Sequence, residues 1–225
     1  MRQRFDAILF DCDGVLVDSE PITNAVLARM LAELGAALSL EETMRLFVGK
    51  AVRDEMEIIE GLTGRSVPPG WYAEFVRRRD EALAREVQAV AGVAEVLERL
   101  RAWRLPHAVA SGADRAKMRV TLGRSRLLEL LEPHVYGADQ VARSKPHPDV
   151  YLLAARGLGV DPGRCLVIED TATGTRAGVA AGATVFGYCA RGAPQALLDA
   201  GAADVFDDML QLAERLAGDP PQAGN

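Results

Sequence analysis

Phe10-Asp11-Cys12-Asp13-Gly14-Val15-Leu16-Val17-Asp18-Ser19-Glu20 follows directly on Ala7-Ile8-Leu9. The run 7–10 contains no polar residue and reads as a strand buried on both faces, as in a parallel sheet covered by helices on either side. Asp11 and Asp13 then stand at its carboxyl end. Residues two apart in extended chain point to the same side, so both carboxylates can face one crevice while Cys12 turns away. Gly14 permits a sharp turn or a close approach of the backbone to a ligand. Taken alone, Asp-x-Asp is as readily a pair of solvated loop residues. Two like charges this close are nevertheless costly unless a cation or a proton comes between them.

Downstream of this stretch the pattern changes. Pro21 opens an amphipathic helix that runs to about Leu34 and stops at Gly35, and Ser39 to Glu42 has capping-box spacing for a second helix to Phe47. Val48-Gly49-Lys50 breaks the pattern, a third helix is predicted from Val52 to Leu62 with Gly64 as its stop, and a fourth from Trp71 to Gln88. Beyond this, strand and helix alternate: helix 93–103, strand 106–110, helix 114–123, a weak strand near Val135, helix 148–158, strand 165–168, helix 173–181 and strand 184–188. A short helix, a short strand and a last helix to about Leu216 complete the series. Such alternation predicts an α/β, doubly wound, Rossmann-like parallel sheet. The expected organisation is a core of residues 1–18 and 89–217, an inserted all-helical domain of residues 19–88, and a disordered tail at 218–225. Arg77-Arg78-Arg79 lies inside a helix and reads as a solvated face.

The chain has 225 residues, 49% of them hydrophobic, and a formal net charge of −6. A sizeable core is therefore affordable in composition, and a surface built for nucleic-acid phosphates or anionic lipid is not expected. An anionic substrate would have to be held by local positive charge. No apolar stretch is long enough for a membrane span and no signal-peptide core precedes the first strand, so a soluble cytoplasmic protein is expected, monomeric or else dimeric. Cys12, Cys165 and Cys189 are odd in number and widely spaced, as reduced thiols are. No histidine lies near Cys12 in sequence to activate it.

In open parallel sheets, ligands bind outside the carboxyl ends of the strands. The residues just after the predicted strands are Asp11 and Asp13, then Ser111 and Gly112, then Glu169 and Asp170, with Lys145 in the loop before a helix. Four converging carboxylates call for a hard divalent cation, and Mg²⁺ suits a site of few protein ligands plus a phosphate. A hydroxyl, backbone amides and one lysine beside it are what a phosphate needs.

Asp11-Cys12-Asp13-Gly14-Val15-Leu16-Val17-Asp18-Ser19, Ser111, Lys145-Pro146, and Ile168-Glu169-Asp170 followed by Thr173-Gly174-Thr175-Arg176-Ala177-Gly178 resemble the four motifs of the haloacid dehalogenase (HAD) superfamily. The helical insert after the first motif resembles the C1-type cap of its beta-phosphoglucomutase, phosphoglycolate phosphatase and sugar-phosphate phosphatase branch. The resemblance implies a small phosphorylated metabolite as substrate and assigns roles by position. Asp11 is the nucleophile that forms an aspartyl-phosphate and Asp13 the general acid and base. Ser111, Gly112 and Lys145 hold the phosphate. Asp11, the Asp13 carbonyl, Glu169 and Asp170 bind Mg²⁺. For the cap, Glu20, Gly49, Lys50 and Arg53 are the expected substrate readers, since they lie beside the hinge or in the 48–50 break. Two departures stand out: the second motif is Ser111-Gly112-Ala113, where many relatives carry Asn or Ser, and Ala89-Val90-Ala91-Gly92 lacks a proline common before the core's first helix.

The expected activity is phosphatase, with sugar phosphomutase as the alternative; a mutase must grip a second phosphate, and Ser111-Gly112-Ala113 has only one side-chain hydroxyl. A dehalogenase has no need of an acid two residues after its nucleophile. A phospho-receiver module shares acidic residues, a Ser or Thr and a Lys at strand ends but has no need of the helical insert.

Overall fold

The computed structural model describes residues 5–48, 52–190 and 194–217. Six strands form one parallel sheet: β1 Ala7–Phe10, β2 His107–Ala110, β3 Val135–Tyr136, β4 Cys165–Glu169, β5 Thr184–Tyr188 and β6 Asp204–Phe206, in the spatial order β3-β2-β1-β4-β5-β6. This is the doubly wound α/β fold the alternation predicts. In such a sheet the crossovers run outward in opposite directions from one point, and the crevice at that point is where ligands bind. Here it falls between β1 and β4. Phe10 pairs with Ile168, and the Asp11 amide donates to the Ile168 carbonyl at 3.0 Å, so Asp11 and Glu169 leave the sheet side by side.

Among the described residues the helices are α1 Glu20–Glu33, α2 Leu40–Phe47, α3 Met56–Thr63, α4 Trp71–Glu86, α5 Val93–Ala102, α6 Arg115–Arg124, α7 Leu128–Leu131, α8 Asp149–Leu158, α9 Ala172–Ala180, α10 Pro194–Asp199 and α11 Met209–Ala217. Two compact units emerge, one of residues 1–17 and 89–225 and one of residues 18–88.

In the sheet-containing unit every residue of β1, β2 and β4 is buried. Leu9, Ala108, Ala110 and Val167 pack with Val150, Tyr151, Ala154 and Ala155 of α8 and with Ala177 of α9. Small residues on both partners let helix and sheet approach closely. Truncating a fully buried residue such as Leu9 to alanine costs about 2–5 kcal/mol by cavity formation. After β1 the loop 12–17 is tightly folded: the Leu16 and Val17 amides both donate to the Cys12 carbonyl, and the Gly14 amide donates to the Val17 carbonyl. Gly14 has φ +82°, the left-handed region that glycine enters without strain.

The unit of residues 18–88 has a core of its own. Val26, Leu27, Met30 and Leu31 of α1 pack with Phe47, Ile59, Trp71 and Phe75. Trp71 and Phe75 lie parallel with ring centroids 6.1 Å apart. The capping box forms as its spacing predicts: the Ser39 amide donates to Glu42 Oε2 at 2.8 Å, and the Glu42 amide to Ser39 Oγ at 3.1 Å. The third predicted helix is divided. Val52–Asp54 make a 3₁₀ turn, Glu55 departs from helical backbone at φ −106°, ψ 22°, and only then does α3 begin. Gly64 ends it at φ 63°, a left-handed C-cap. α7 escaped prediction because four residues are too few to display a 3.6-residue period. The tail at 218–225 lies outside the described residues.

Candidate active site

The end of β1 delivers a carboxylate into a nearly dry environment. Asp11 Oδ1 accepts from Lys145 Nζ at 2.5 Å, and the same ammonium donates to Glu169 Oε1 at 2.8 Å. The side chains of Asp11, Lys145 and Glu169 are 10%, 8% and 2% exposed. Burial raises the Asp11 carboxyl from its ordinary range to about 7; Lys145 opposes the rise, while the charges of Glu169 and Asp13 add to it. Burial would also discharge Lys145, but Asp11 and Glu169 override it and hold the ammonium well above the ordinary lysine value. The lysine is thus a fixed cation beside a carboxylate that it only partly compensates.

Glu169 occupies the last position of β4, in register with Gly187, one residue further into the strand than the sequence predicts. Its Oε1 takes hydrogen bonds from Lys145 and, at 3.1 Å, from the Tyr151 hydroxyl; its Oε2 takes the Thr171 amide at 2.8 Å and the Thr171 hydroxyl at 2.9 Å. Both oxygens are engaged by protein donors, so in this structure Glu169 anchors Lys145 and the start of α9. Gly174 makes this possible. A Cβ there would fall 1.6 Å from Glu169 Oε1. The Tyr151 ring lies 4.6 Å from Lys145 Nζ and closes another side of the ammonium with a cation–π contact.

Among the described residues, no three carboxylate, histidine or cysteine side chains group as a metal site. The reason is electrostatic: lysines stand between the carboxylates, with Lys145 joining Asp11 to Glu169 and Lys117 Nζ donating to Asp13 Oδ2 at 2.9 Å. Two buried carboxylates sharing one ammonium still leave surplus negative charge. Asp170 lies against Gly14, where a Cβ would fall 2.0 Å from Asp170 Oδ2. Hard oxygen donors beside a backbone approach open only to glycine suit Mg²⁺, which is commonly held by one or two carboxylates plus water and substrate oxygens. The residues present fit that ion through Asp11, Asp170 and the Asp13 carbonyl.

Ser111, 2% exposed, stands at the end of β2; its Oγ accepts from the Ala113 amide at 3.1 Å and so shapes the turn before α6. Gly112 is exposed, and a Cβ on it would meet Ser144 Oγ at 3.5 Å, which brings the loop carrying Lys145 next to the second motif. Cys12 is buried, and burial, followed by Asp13 and Asp11, raises its thiol well above the ordinary value, so no thiolate competes as nucleophile. In the helical unit, Glu20 begins α1, and its carboxylate accepts from buried Asn24 Nδ2 at 2.9 Å. Arg53 is exposed in the 3₁₀ turn, and Gly49 and Lys50 lie outside the described residues.

Sequence reasoning missed Lys117, Tyr151 and Thr171. Thr171 carried a usable signal, a hydroxyl residue between a strand and a helix; it caps α9 by accepting from the Gly174 amide at 3.0 Å. Lys117 and Tyr151 carried none, because each sits at an ordinary helix position and meets its partner only through the fold.

A family model described as haloacid dehalogenase-like hydrolase matches residues 5–182. Over 189 residues the chain is 30% identical to 6-phosphogluconate phosphatase of Escherichia coli (strain K12), covering 83% of this chain and 84% of that protein. Hexitol phosphatase A of the same organism is 33% identical over 186 residues, 81% of this chain and 82% of that one. A HAD family hydrolase from Deinococcus radiodurans R1, solved with bound phosphate and sodium, has 39% identity and a TM-score of 0.84, with 96% of each chain covered.

Proposed function

The chain belongs to the haloacid dehalogenase-like hydrolase family, and we propose that it is a Mg²⁺-dependent phosphatase acting on a small phosphorylated sugar, sugar acid or polyol through an aspartyl-phosphate. The observation that carries this reading is Asp11 Oδ1 held at 2.5 Å by a buried lysine that Glu169 and Tyr151 immobilise in turn. A carboxylate is a weak nucleophile, so phosphoryl transfer must draw on positioning and charge neutralisation. Lys145 supplies both: it orients the Asp11 carboxylate and stands ready to meet phosphoryl oxygens.

In the first half-reaction Asp11 attacks phosphorus while Asp13, protonated, gives its proton to the departing alcohol oxygen. In the second, Asp13 takes a proton from the water that attacks the aspartyl-phosphate, which frees Asp11 and releases inorganic phosphate. Ser111 and Gly112 hold the phosphoryl group from the end of β2. Asp11, Asp170 and the Asp13 carbonyl would hold Mg²⁺, whose charge offsets that of the phosphoryl oxygens. We assign substrate choice to residues 19–88, through Glu20, Gly49, Lys50 and Arg53. Hydrolysis is favoured over mutase transfer because Ala113 offers no side-chain donor for a second phosphate.

The test is release of inorganic phosphate from a panel of sugar, sugar-acid and polyol phosphates, with Mg²⁺ and with excess EDTA. Turnover that depends on Mg²⁺ is expected. Undiminished turnover in EDTA would remove the metal assignment, and rapid isomerisation of glucose 1-phosphate ahead of phosphate release would replace hydrolysis by transfer.

A further inference from the structure

We propose that Asp139 is the positioning residue for the turn Ser111-Gly112-Ala113, tying it to the exit of β3 so that the Ser111 hydroxyl and the Gly112 amide stay where they meet a phosphoryl group. This rests on the assignment of Ser111 and Gly112 made above. The Asp139 carboxylate takes two hydrogen bonds from one residue: the Arg115 amide donates to Oδ1 at 3.0 Å and Arg115 Nε to Oδ2 at 2.9 Å. Arg115 opens α6, two residues after the turn, and lies 24 positions before Asp139 in sequence.

The bond to the Arg115 amide extends a series. Ala110 and Tyr136 are partners in the β2–β3 ladder. Beyond them the Ser111 amide donates to the Tyr136 carbonyl at 3.0 Å, the Ala138 amide to the Ala113 carbonyl at 2.9 Å, and the Arg115 amide to Asp139. The turn is thus fastened along its length to residues 136–139. Gly137 leaves the room for it: a Cβ there would fall 2.7 Å from Asp139 Oδ1, 2.8 Å from the Ala113 carbonyl oxygen and 2.9 Å from the Arg115 nitrogen. Its φ of −128° is open to any residue, so the glycine is required by space rather than by backbone conformation.

Neither helix initiation nor ion pairing accounts for Asp139. Helix α6 already has a local cap, since Asp114 Oδ1 accepts from the Lys117 amide at 2.7 Å. The Asp139 and Arg115 side chains are 34% and 44% exposed, a setting in which an ion pair adds little to stability. What Asp139 adds is a fixed distance between two segments of the chain. On the lysine side of the phosphate site, Glu169 and Tyr151 hold Lys145; Asp139 holds the serine side. Donors to a phosphoryl group act by position, and a misplacement of about 1 Å can cost on the order of 100-fold in rate.

Asp139→Ala, Asp139→Asn, Gly137→Ala and Ser111→Ala should be compared with the wild type in Mg²⁺ buffer. The quantities to read are the inhibition constant of orthovanadate and kcat/KM on p-nitrophenyl phosphate and glycerol 2-phosphate, with melting curves to establish folding. Orthovanadate presents the oxygens of a phosphoryl group without a leaving group. For Asp139→Ala its inhibition constant should rise about 10-fold and kcat/KM should fall about 10-fold, equally on both esters, because the tether acts on the part they share. Gly137→Ala should act in the same direction with Asp139 intact. Asp139→Asn still offers an oxygen to the Arg115 amide and should recover most of the loss. A purely structural residue would lower the melting temperature and leave the inhibition constant of the folded enzyme unchanged; that result overturns the proposal, as does an equal loss in Asp139→Asn and Asp139→Ala. If Ser111→Ala raises the inhibition constant and Asp139→Ala does not, the inference fails and the Ser111 assignment stands. If Ser111→Ala leaves it unchanged, that assignment itself fails and takes the inference with it. Should Asp139→Ala not fold, Asp139→Ser carries the same comparison.

Discussion

The same chemical pairing, carboxylate with cation, occurs in both units and does opposite things. In the helical unit Glu74 accepts from Arg77 and Arg78, Arg78 reaches on to Glu33, and the side chains are between 36% and 55% exposed. Hydrogen bonds from the two arginines draw the Glu74 carboxyl down to about 2. In the sheet unit Asp11 also touches a cation, yet burial lifts its carboxyl to about 7. Water makes the difference. At the surface both charges remain solvated and the partner is a small bonus; inside, the charge has lost its solvation and a single ammonium does not replace it. An ion pair kept in the second setting does not serve stability, and its position at the carboxyl ends of β1 and β4 indicates what it does serve.

Substitutions should separate the two settings. The largest effect is expected for Asp11→Asn, which preserves shape and removes the attacking charge: turnover should fall by more than about 1,000-fold, roughly 4 kcal/mol of barrier. The linkage gives this variant a second signature. A carboxyl raised in the folded state binds its proton more tightly there than in the unfolded chain. Its contribution is therefore favourable at low pH and is lost as pH rises from its ordinary 3.8 to about 7. Without added metal, Asp11→Asn should melt no lower than the wild type at pH 8; a lower melting temperature would show that the buried pair is stabilising after all.

Gly174→Ala comes next. Its methyl would fall 1.6 Å from Glu169 Oε1, so either α9 or the glutamate must shift, and Lys145 loses its anchor. A destabilisation of about 1–3 kcal/mol is expected from such overpacking, with a loss of kcat that persists at temperatures where the variant is fully folded. Normal kcat in a folded variant would mean that the Glu169 anchor is dispensable. Arg78→Ala should do least: a change in melting temperature of no more than about 2 °C, shrinking in high salt. The sign for Glu74 is opposite to that for Asp11. Its folded-state carboxyl is lowered, so its contribution is present above its ordinary 4.5 and is lost as pH falls towards 2. A surface pair whose removal disabled the enzyme at neutral pH would erase the contrast between the units.

Much of the architecture was legible because it follows from local pattern. The unbroken run 7–10 announced a central parallel strand, the Ser39-x-x-Glu42 spacing announced a cap, and Gly64 announced a helix stop. Asp11 and Glu169 were singled out because each ends or follows a strand and Lys145 because it lies in the loop before a helix, and the fold brings them within hydrogen-bonding distance. What could not be read is which charges face which. The sequence shows four acids near strand ends with Lys145 beside them, but not that a second lysine and a tyrosine would be interleaved among them. Lys117 reaches Asp13 from the first turn of α6, and the Tyr151 ring arrives from the buried face of α8. Nor does local pattern reveal that Gly174 is required by the glutamate it must clear. Contacts across the fold decide electrostatics, and they leave no periodic trace in the chain.

The central claim, that Asp11 becomes phosphorylated, is tested most directly by mixing the enzyme with excess p-nitrophenyl phosphate and Mg²⁺, quenching in acid within milliseconds and mapping the protein by peptide mass spectrometry. One phosphoryl group on the peptide that contains Asp11, absent from the Asp11→Asn variant, is the predicted result. Phosphate release in a burst with no phosphorylated peptide, or with the label on any other residue, would contradict it.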